Sequence, residues 1–127
     1  MRFHGKTDAN QKEIINQLRQ VGVWVCDLSG AGQGVPDLLV CWGGVYVLIE
    51  LKVEQKANIT AAQIAFLGDC RGLVGFAESF LQAERLAKQH HLYTLTQRQK
   101  DRITVFASKF DKKMMSYQKF KREVLEG

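Results

Sequence analysis

Residues 35–42 and 45–53 are two apolar runs joined by Gly43-Gly44, and this limits the possible folds more than any other feature of the chain. A two-residue Gly-Gly connection between β-rich runs signals a hairpin, because such turns need positive φ, which glycine adopts without steric cost. A turn at these glycines pairs Trp42 with Val45 and Cys41 with Tyr46, and it sets Asp37 directly opposite Glu50. A four-residue loop centred on the same glycines keeps that register. Opposed residues share a face of the sheet, with Cβ atoms roughly 4.5–5.5 Å apart. Lys52, two residues beyond Glu50, projects from the same face because side chains alternate with period two.

The rest of the chain supplies the layers around this hairpin. Asp8 and Gln11 form a capping box ahead of Ile14, Ile15 and Leu18, which recur at helical spacing up to Gly22. Residues 21–28 read as a strand, and Ser-Gly-Ala-Gly-Gln-Gly at 29–34 as a loop, either a plain connection or a segment that closes on a ligand. A helix over 60–71, a strand over 72–76 and a helix over 78–89 follow. From about Gln99, the residues Ile103, Phe106, Phe110, Met114, Tyr117, Phe120 and Val124 step by three or four, which predicts one long amphipathic helix. The expected fold is α/β: a central mixed sheet flanked by helices, with a C-terminal amphipathic helix.

Composition narrows the class. The chain has 127 residues, 46% of them hydrophobic, enough for one domain with its own core and too apolar for disorder. No apolar run approaches the ~18 residues of a membrane span, and the N-terminus lacks a signal-peptide core, so the expectation is a cytoplasmic protein without membrane association. Three cysteines, an odd number without a CxxC pair, argue against disulfides and a zinc site. The net charge of +5 is unevenly spread: residues 1–97 carry nine basic and nine acidic side chains, and residues 98–127 carry nine basic and four acidic. We therefore expect a body over 1–97 that holds the chemistry and a basic extension over 98–127.

Two carboxylates facing each other repel and weaken a hairpin, unless a cation lies between them. Mg²⁺ takes oxygen ligands and is usually held by one or two carboxylates together with water and a substrate phosphate. A lysine beside the pair makes a poor metal ligand, but it can stabilise a phosphate oxygen or an attacking water. Two acids and an amine on one sheet face form a constellation suited to phosphodiester hydrolysis.

Gly34-Val-Pro-Asp37 followed by Glu50-Leu-Lys52 at the end of an apolar strand resembles the PD-(D/E)xK nuclease signature. With Ile-Glu-Leu-Lys about a dozen residues after the aspartate and Gln63 early in the next helix, residues 8–88 resemble the virus-type replication-repair nuclease (VRR-NUC) domain. The resemblance implies a restriction-endonuclease-like core. Asp37 and Glu50 would bind Mg²⁺, with Mn²⁺ able to substitute; the Leu51 carbonyl would add a ligand, Lys52 would serve the nucleophile and Gln63 would orient the site. Glu13 matches an acidic position that many members use as a further metal or water contact. Stand-alone members resemble Holliday-junction resolvases and act as homodimers, whereas fused versions cut flapped or branched DNA. The expected activity is thus Mg²⁺-dependent, structure-selective DNA cleavage in repair or recombination, in a bacterial or phage-infected cell and with no small-molecule cofactor. The alternatives are a monomeric flap or nicking nuclease, or a DNA-binding module with a degenerate site.

Several residues admit structural readings as well. Thr60-Ala-Ala-Gln63 is itself a capping box, and an acid such as Glu13 or Asp8 near a helix start is favoured by the macrodipole alone. The apolar stripe of the basic extension must be buried against its own domain, a second subunit or a membrane surface. The opposite face, with Lys109, Lys112, Lys113, Lys119 and Lys121, would then be available to DNA phosphates or simply solvated.

Overall fold

The computed structural model of the chain describes residues 5–127, without the side chains of 5–8; the side chain of Asp8 therefore lies outside the described residues. Helix α1 runs over Gly5–Gln20, so it is already under way at Asp8. Gln11 reaches across to the Asp27 carboxylate at 3.2 Å. The helix stops where Gly22 takes φ +90°, with the Val23 N–H turned back onto the Leu18 carbonyl at 3.0 Å.

Strands β1 (Trp24–Asp27), β2 (Leu38–Trp42) and β3 (Val45–Leu51) form an antiparallel meander. Gly43 and Gly44, at φ +59° and +81°, make the hairpin turn, and the ladder runs from Trp42↔Val45 to Leu38↔Ile49, the register expected from the glycines. Both hairpin strands are shorter than their apolar runs, with Val35, Pro36 and Asp37 lying ahead of β2. A three-residue strand β4 (Asn58–Thr60) and helix α2 (Ala61–Asp69) then cross to β5 (Val74–Ala77), which pairs in parallel with β3. The sheet order is β1-β2-β3-β5. Helices α3 (Phe80–Lys88) and α4 (His90–Tyr93) follow.

Alternation along β3 divides the interior in two. Val47, Ile49 and Leu51 face a core shared with Ile14, Ile15 and Leu18 of α1 and Ala83, Leu86 and Ala87 of α3. Leu48 faces a second core, built with Ile64 and Leu67 of α2, Val74 and Phe76 of β5, and the C-terminal residues Ile103, Tyr117, Phe120 and Val124. Burying both faces around one sheet gives the α/β layering expected from the element order.

Six residues of the C-terminal stripe pack into the second core of their own chain while Met114 stays exposed, and the stripe does not form one helix. Helix α5 covers Gln97–Lys109 and ends at Phe110. Residues Met114–Ser116 form strand β6, antiparallel to β4, after which come α6 (Tyr117–Phe120) and a π-helical turn over Lys121–Leu125. Phe106 stacks on Phe110 one helical turn on, at 5.4 Å, and bending at 110–116 folds the stripe back so that Phe106 meets Phe120 edge-on at 5.7 Å. A continuous helix could not also satisfy the free edge of β4; the break does. Among the described residues all three cysteines are free, and no helix is long and apolar enough to cross a membrane.

Candidate nuclease site

The hairpin register, carried one position past Leu38↔Ile49, sets Asp37 across from Glu50. Asp37 is held there by its neighbours in sequence and in space. Its Oδ2 accepts the Leu51 N–H at 2.9 Å, and its own carbonyl accepts the Leu28 N–H at 2.7 Å. Gly34 takes φ +81° and passes so close to α2 that a Cβ there would collide with the Ala62 carbonyl. That close approach presses Val35-Pro36-Asp37 against the start of α2 and the end of β3.

Glu50 and Lys52 occupy the second-core side of β3 and are almost fully enclosed, at 2% and 7% exposure. The lysine Nζ lies 3.3 Å from Glu50 Oε2, 3.1 Å from Gln63 Oε1 and 2.7 Å from the Asn58 carbonyl. Gln63 is both cap and bridge. As residue N3 of α2 it closes the box with Thr60, accepting the Thr60 N–H at 3.0 Å and donating its own N–H to Thr60 Oγ1 at 3.1 Å. Its amide nitrogen also donates to Glu50 Oε2 at 3.1 Å. The two readings of Gln63 are therefore compatible.

Burial is the main cause that pushes the Glu50 carboxyl up to about 8, and repulsion from Asp37 adds to it. Lys52 opposes the shift, but a hydrogen bond to Asp37 that needs the Glu50 proton again favours the neutral acid. A divalent cation between the carboxylates would remove both the repulsion and the need for a proton. Two carboxylates and a nearby backbone carbonyl at Leu51 form an all-oxygen donor set, which suits a hard ion such as Mg²⁺. A cleft of about 340 Å³ opens over the group, with Gln11, Asp37, Glu50, Lys52, Glu54 and Asn58 among its lining residues.

Glu13 does not join this group. It is exposed on α1 and outside the cleft lining, to which α1 contributes Gln11; Asn10 meets Glu54 at 3.3 Å. Among the described residues, no set of three Asp, Glu, His or Cys side chains stands close enough to hold a metal. Nothing in the sequence marks Asn58, whose contribution is a backbone carbonyl that any residue type would supply. Glu54 and Gln11 also reach the cleft from outside the motif.

The basic residues of the extension fall into different settings. Lys109, Lys112, Lys113 and Lys119 are exposed, and Lys109, Lys112 and Lys119 line one shallow groove beside Phe106 and Phe110. Lys121 is partly buried and paired with Glu78 at 2.7 Å. Lys100 is buried, donating to the Gly72 carbonyl at 2.7 Å.

Comparison with known proteins converges on the same chemistry. No curated protein and no solved structure gives a significant match. The sequence model of the archaeal Holliday junction resolvase family, Hjc, matches residues 3–94, which span the hairpin, the acid–acid–lysine group and α2. Nucleases of this PD-(D/E)xK family use a divalent metal. The chain belongs to the archaeal Holliday junction resolvase family, whose members are structure-selective DNA endonucleases.

Proposed function

We propose that this chain cleaves the phosphodiester backbone of branched DNA at the Asp37–Glu50–Lys52 centre, acting on four-way junctions as a homodimer. One observation carries the assignment: two opposed carboxyls and a buried ammonium share the floor of one cleft at the end of β3. Asp37, Glu50 and the Leu51 carbonyl would hold Mg²⁺, or Mn²⁺ in its place. Bound there, the ion supplies Lewis-acid stabilisation of the charge that builds on the phosphoryl oxygens.

The protein's own groups do the rest. Lys52 is fixed by three acceptors at the cleft, where its ammonium would offset the negative charge that builds on an attacking water and on the scissile phosphate. Gln63 ties Glu50 to Lys52 and so holds the acid and the amine in one geometry. The Leu51 N–H fixes the Asp37 carboxylate. Gly-x-Pro-Asp at 34–37 together with Gln63 supports reading the site as a VRR-NUC-type variant.

A four-way junction has two equivalent strands to cut, which a two-fold dimer with two sites matches. The sheet face at β1 supports such an assembly: Trp24 and Tyr46, 52% and 58% exposed, meet edge-on at 5.9 Å. A second copy of the chain would cover this apolar patch. Lys109, Lys112, Lys113 and Lys119 would reach phosphates of the junction arms, with Lys121 contributing less because Glu78 already pairs it.

The test is cleavage of four-way junctions, flaps and duplexes by the purified chain with Mg²⁺. Paired symmetric incisions are expected on the junction. Asp37→Ala and Lys52→Ala should each slow cleavage by about 10²–10³-fold or more while junction binding persists in metal-free buffer. Wild-type chain that cuts none of these DNAs with Mg²⁺ or Mn²⁺ would refute the enzyme reading; single incisions confined to flaps would refute the junction reading.

A further inference from the structure

The family match ends at residue 94, yet the Lys52 ammonium is held by groups that depend on residues beyond it. Two of its three acceptors, the Asn58 carbonyl and Gln63 Oε1, are set by β4 and the cap that follows it. Among the described residues, that three-residue strand pairs only with β6.

The direction of the backbone bonds explains the coupling. The Ala57 carbonyl accepts the Tyr117 N–H at 2.9 Å, and the Ala61 N–H donates to the Lys113 carbonyl at 2.8 Å. Residues 57, 59 and 61 therefore turn their backbone groups toward β6, and the residues between them turn theirs the opposite way. Those intervening groups are the ones the site uses: the Asn58 carbonyl accepts from Lys52 Nζ at 2.7 Å, and the Thr60 N–H donates to Gln63 Oε1 at 3.0 Å.

The other strand of this pair is firmly anchored. Tyr117 and Phe120 are buried directly after β6, and both rings pack on Phe76, at 5.0 and 6.2 Å. Phe76 is the residue paired with Glu50 across β3 and β5. Arg102 of α5 locks the chain end, donating to the Val124 carbonyl at 2.9 Å and to the Leu125 carbonyl at 2.7 Å.

We infer that the C-terminal segment is a positioning element of the nuclease site: β6, held by Tyr117 and Phe120, fixes β4 so that Asn58 and Gln63 aim the Lys52 ammonium into the cleft. The inference rests on Lys52 acting in cleavage, as proposed above. Met115 is the residue to change, because it stands opposite Ile59 at the centre of the ladder and turns its N–H toward β4.

Met115→Pro removes that N–H. In the full chain with Mg²⁺, the single-turnover cleavage rate at saturating junction should fall roughly 10- to 100-fold, the loss expected when a reacting group is misplaced. The junction concentration at half-saturation should not change. In metal-free protein labelled with ¹⁵N at lysine Nζ, the wild type is expected to show a slowly exchanging Lys52 ammonium resonance and the variant to lose it. Folded Met115→Pro protein that keeps both the rate and the resonance overturns the inference.

If that variant does not fold, the wild-type chain provides the readout. With denaturant raised below the global transition, the Tyr117 and Ala61 amides and the Lys52 ammonium should lose protection together; an ammonium signal that outlasts the ladder overturns the inference. Lys52→Ala separates the two claims. Wild-type cutting by Lys52→Ala would mean that the site reading itself has failed. A dead Lys52→Ala beside a fully active, folded Met115→Pro would remove only the positioning role.

Discussion

At Glu50 the needs of stability and of chemistry oppose each other. Its carboxyl is pushed up to about 8 in the folded chain, against 4.5 for an ordinary glutamate, first by burial and then by Asp37. A raised value means that the folded state holds the proton more tightly than the unfolded state does. The associated stability is therefore complete below pH 4.5 and is lost as pH rises through 8. Metal-free protein should accordingly be less stable at pH 8.5 than at pH 5, by on the order of a few kcal/mol from this group, and melt at a lower temperature there. Glu50→Gln cannot ionise, so above pH 8 it should melt higher than the wild type, converge with it near pH 4.5, and fail to cut DNA. Mg²⁺ should stabilise the wild type at pH 8.5 and have little effect at pH 5. Thermal melts across pH, with and without Mg²⁺, check all of these outcomes.

At the scale of elements, Gly34 and the hairpin show what can be read from residue order and what cannot. The Gly-Gly turn, its register and the pairing of Asp37 with Glu50 follow from local chemistry, because side chains alternate with period two and the turn sets the phase. The need for glycine at 34 follows from something distant: α2 passes over it, and a Cβ would meet the Ala62 carbonyl. Gly34→Ala carries both that collision and a positive φ that costs about 1–2 kcal/mol for other residues. It should lower Tm by roughly 5–10 °C and slow cleavage by displacing Asp37. Gly32→Ala, also at positive φ but with open space around its Cβ, should bear only the backbone strain. Parallel melts and cleavage rates compare the two. Strands β4 and β6, three residues each, were not legible, since a pattern needs more residues than either strand has. In β6 the helical stripe of residues 103–124 also masks the strand, because a strand and a helix place the same few apolar residues inside when the chain bends.

For the whole molecule, the question left by the sequence was what the basic extension touches. Apart from the exposed Met114, its apolar stripe packs into the second core, and the exposed lysines lie on its outward face. Lys109→Ala, Lys112→Ala and Lys119→Ala should each weaken junction binding without changing preference among branched DNAs. Each should also lower the slope of log affinity against log salt by up to about 0.9, the share of one released counterion. A titration over salt concentrations measures this directly, and unchanged slopes in all three would place the DNA elsewhere. If the chain assembles as the proposed homodimer, its native mass should be insensitive to these changes but should fall to that of one chain with Trp24→Glu, which puts a charge into the exposed sheet face.

The sequence by itself determined the hairpin, its register and therefore the meeting of Asp37, Glu50 and Lys52, because these depend on turn geometry and on the period of a strand. It also determined the capping box of Thr60 and Gln63 that opens α2, a matter of four consecutive residues. Only the tertiary structure decided that Glu13 stays out of the cleft, that Lys121 is taken by Glu78, and that β6 ends the helical stripe to pair with β4. Those outcomes depend on which surfaces meet after the chain closes over distance. The backbone groups that hold Lys52 carry no mark in residue type: every residue has a carbonyl, and only the fold selects the one at Asn58.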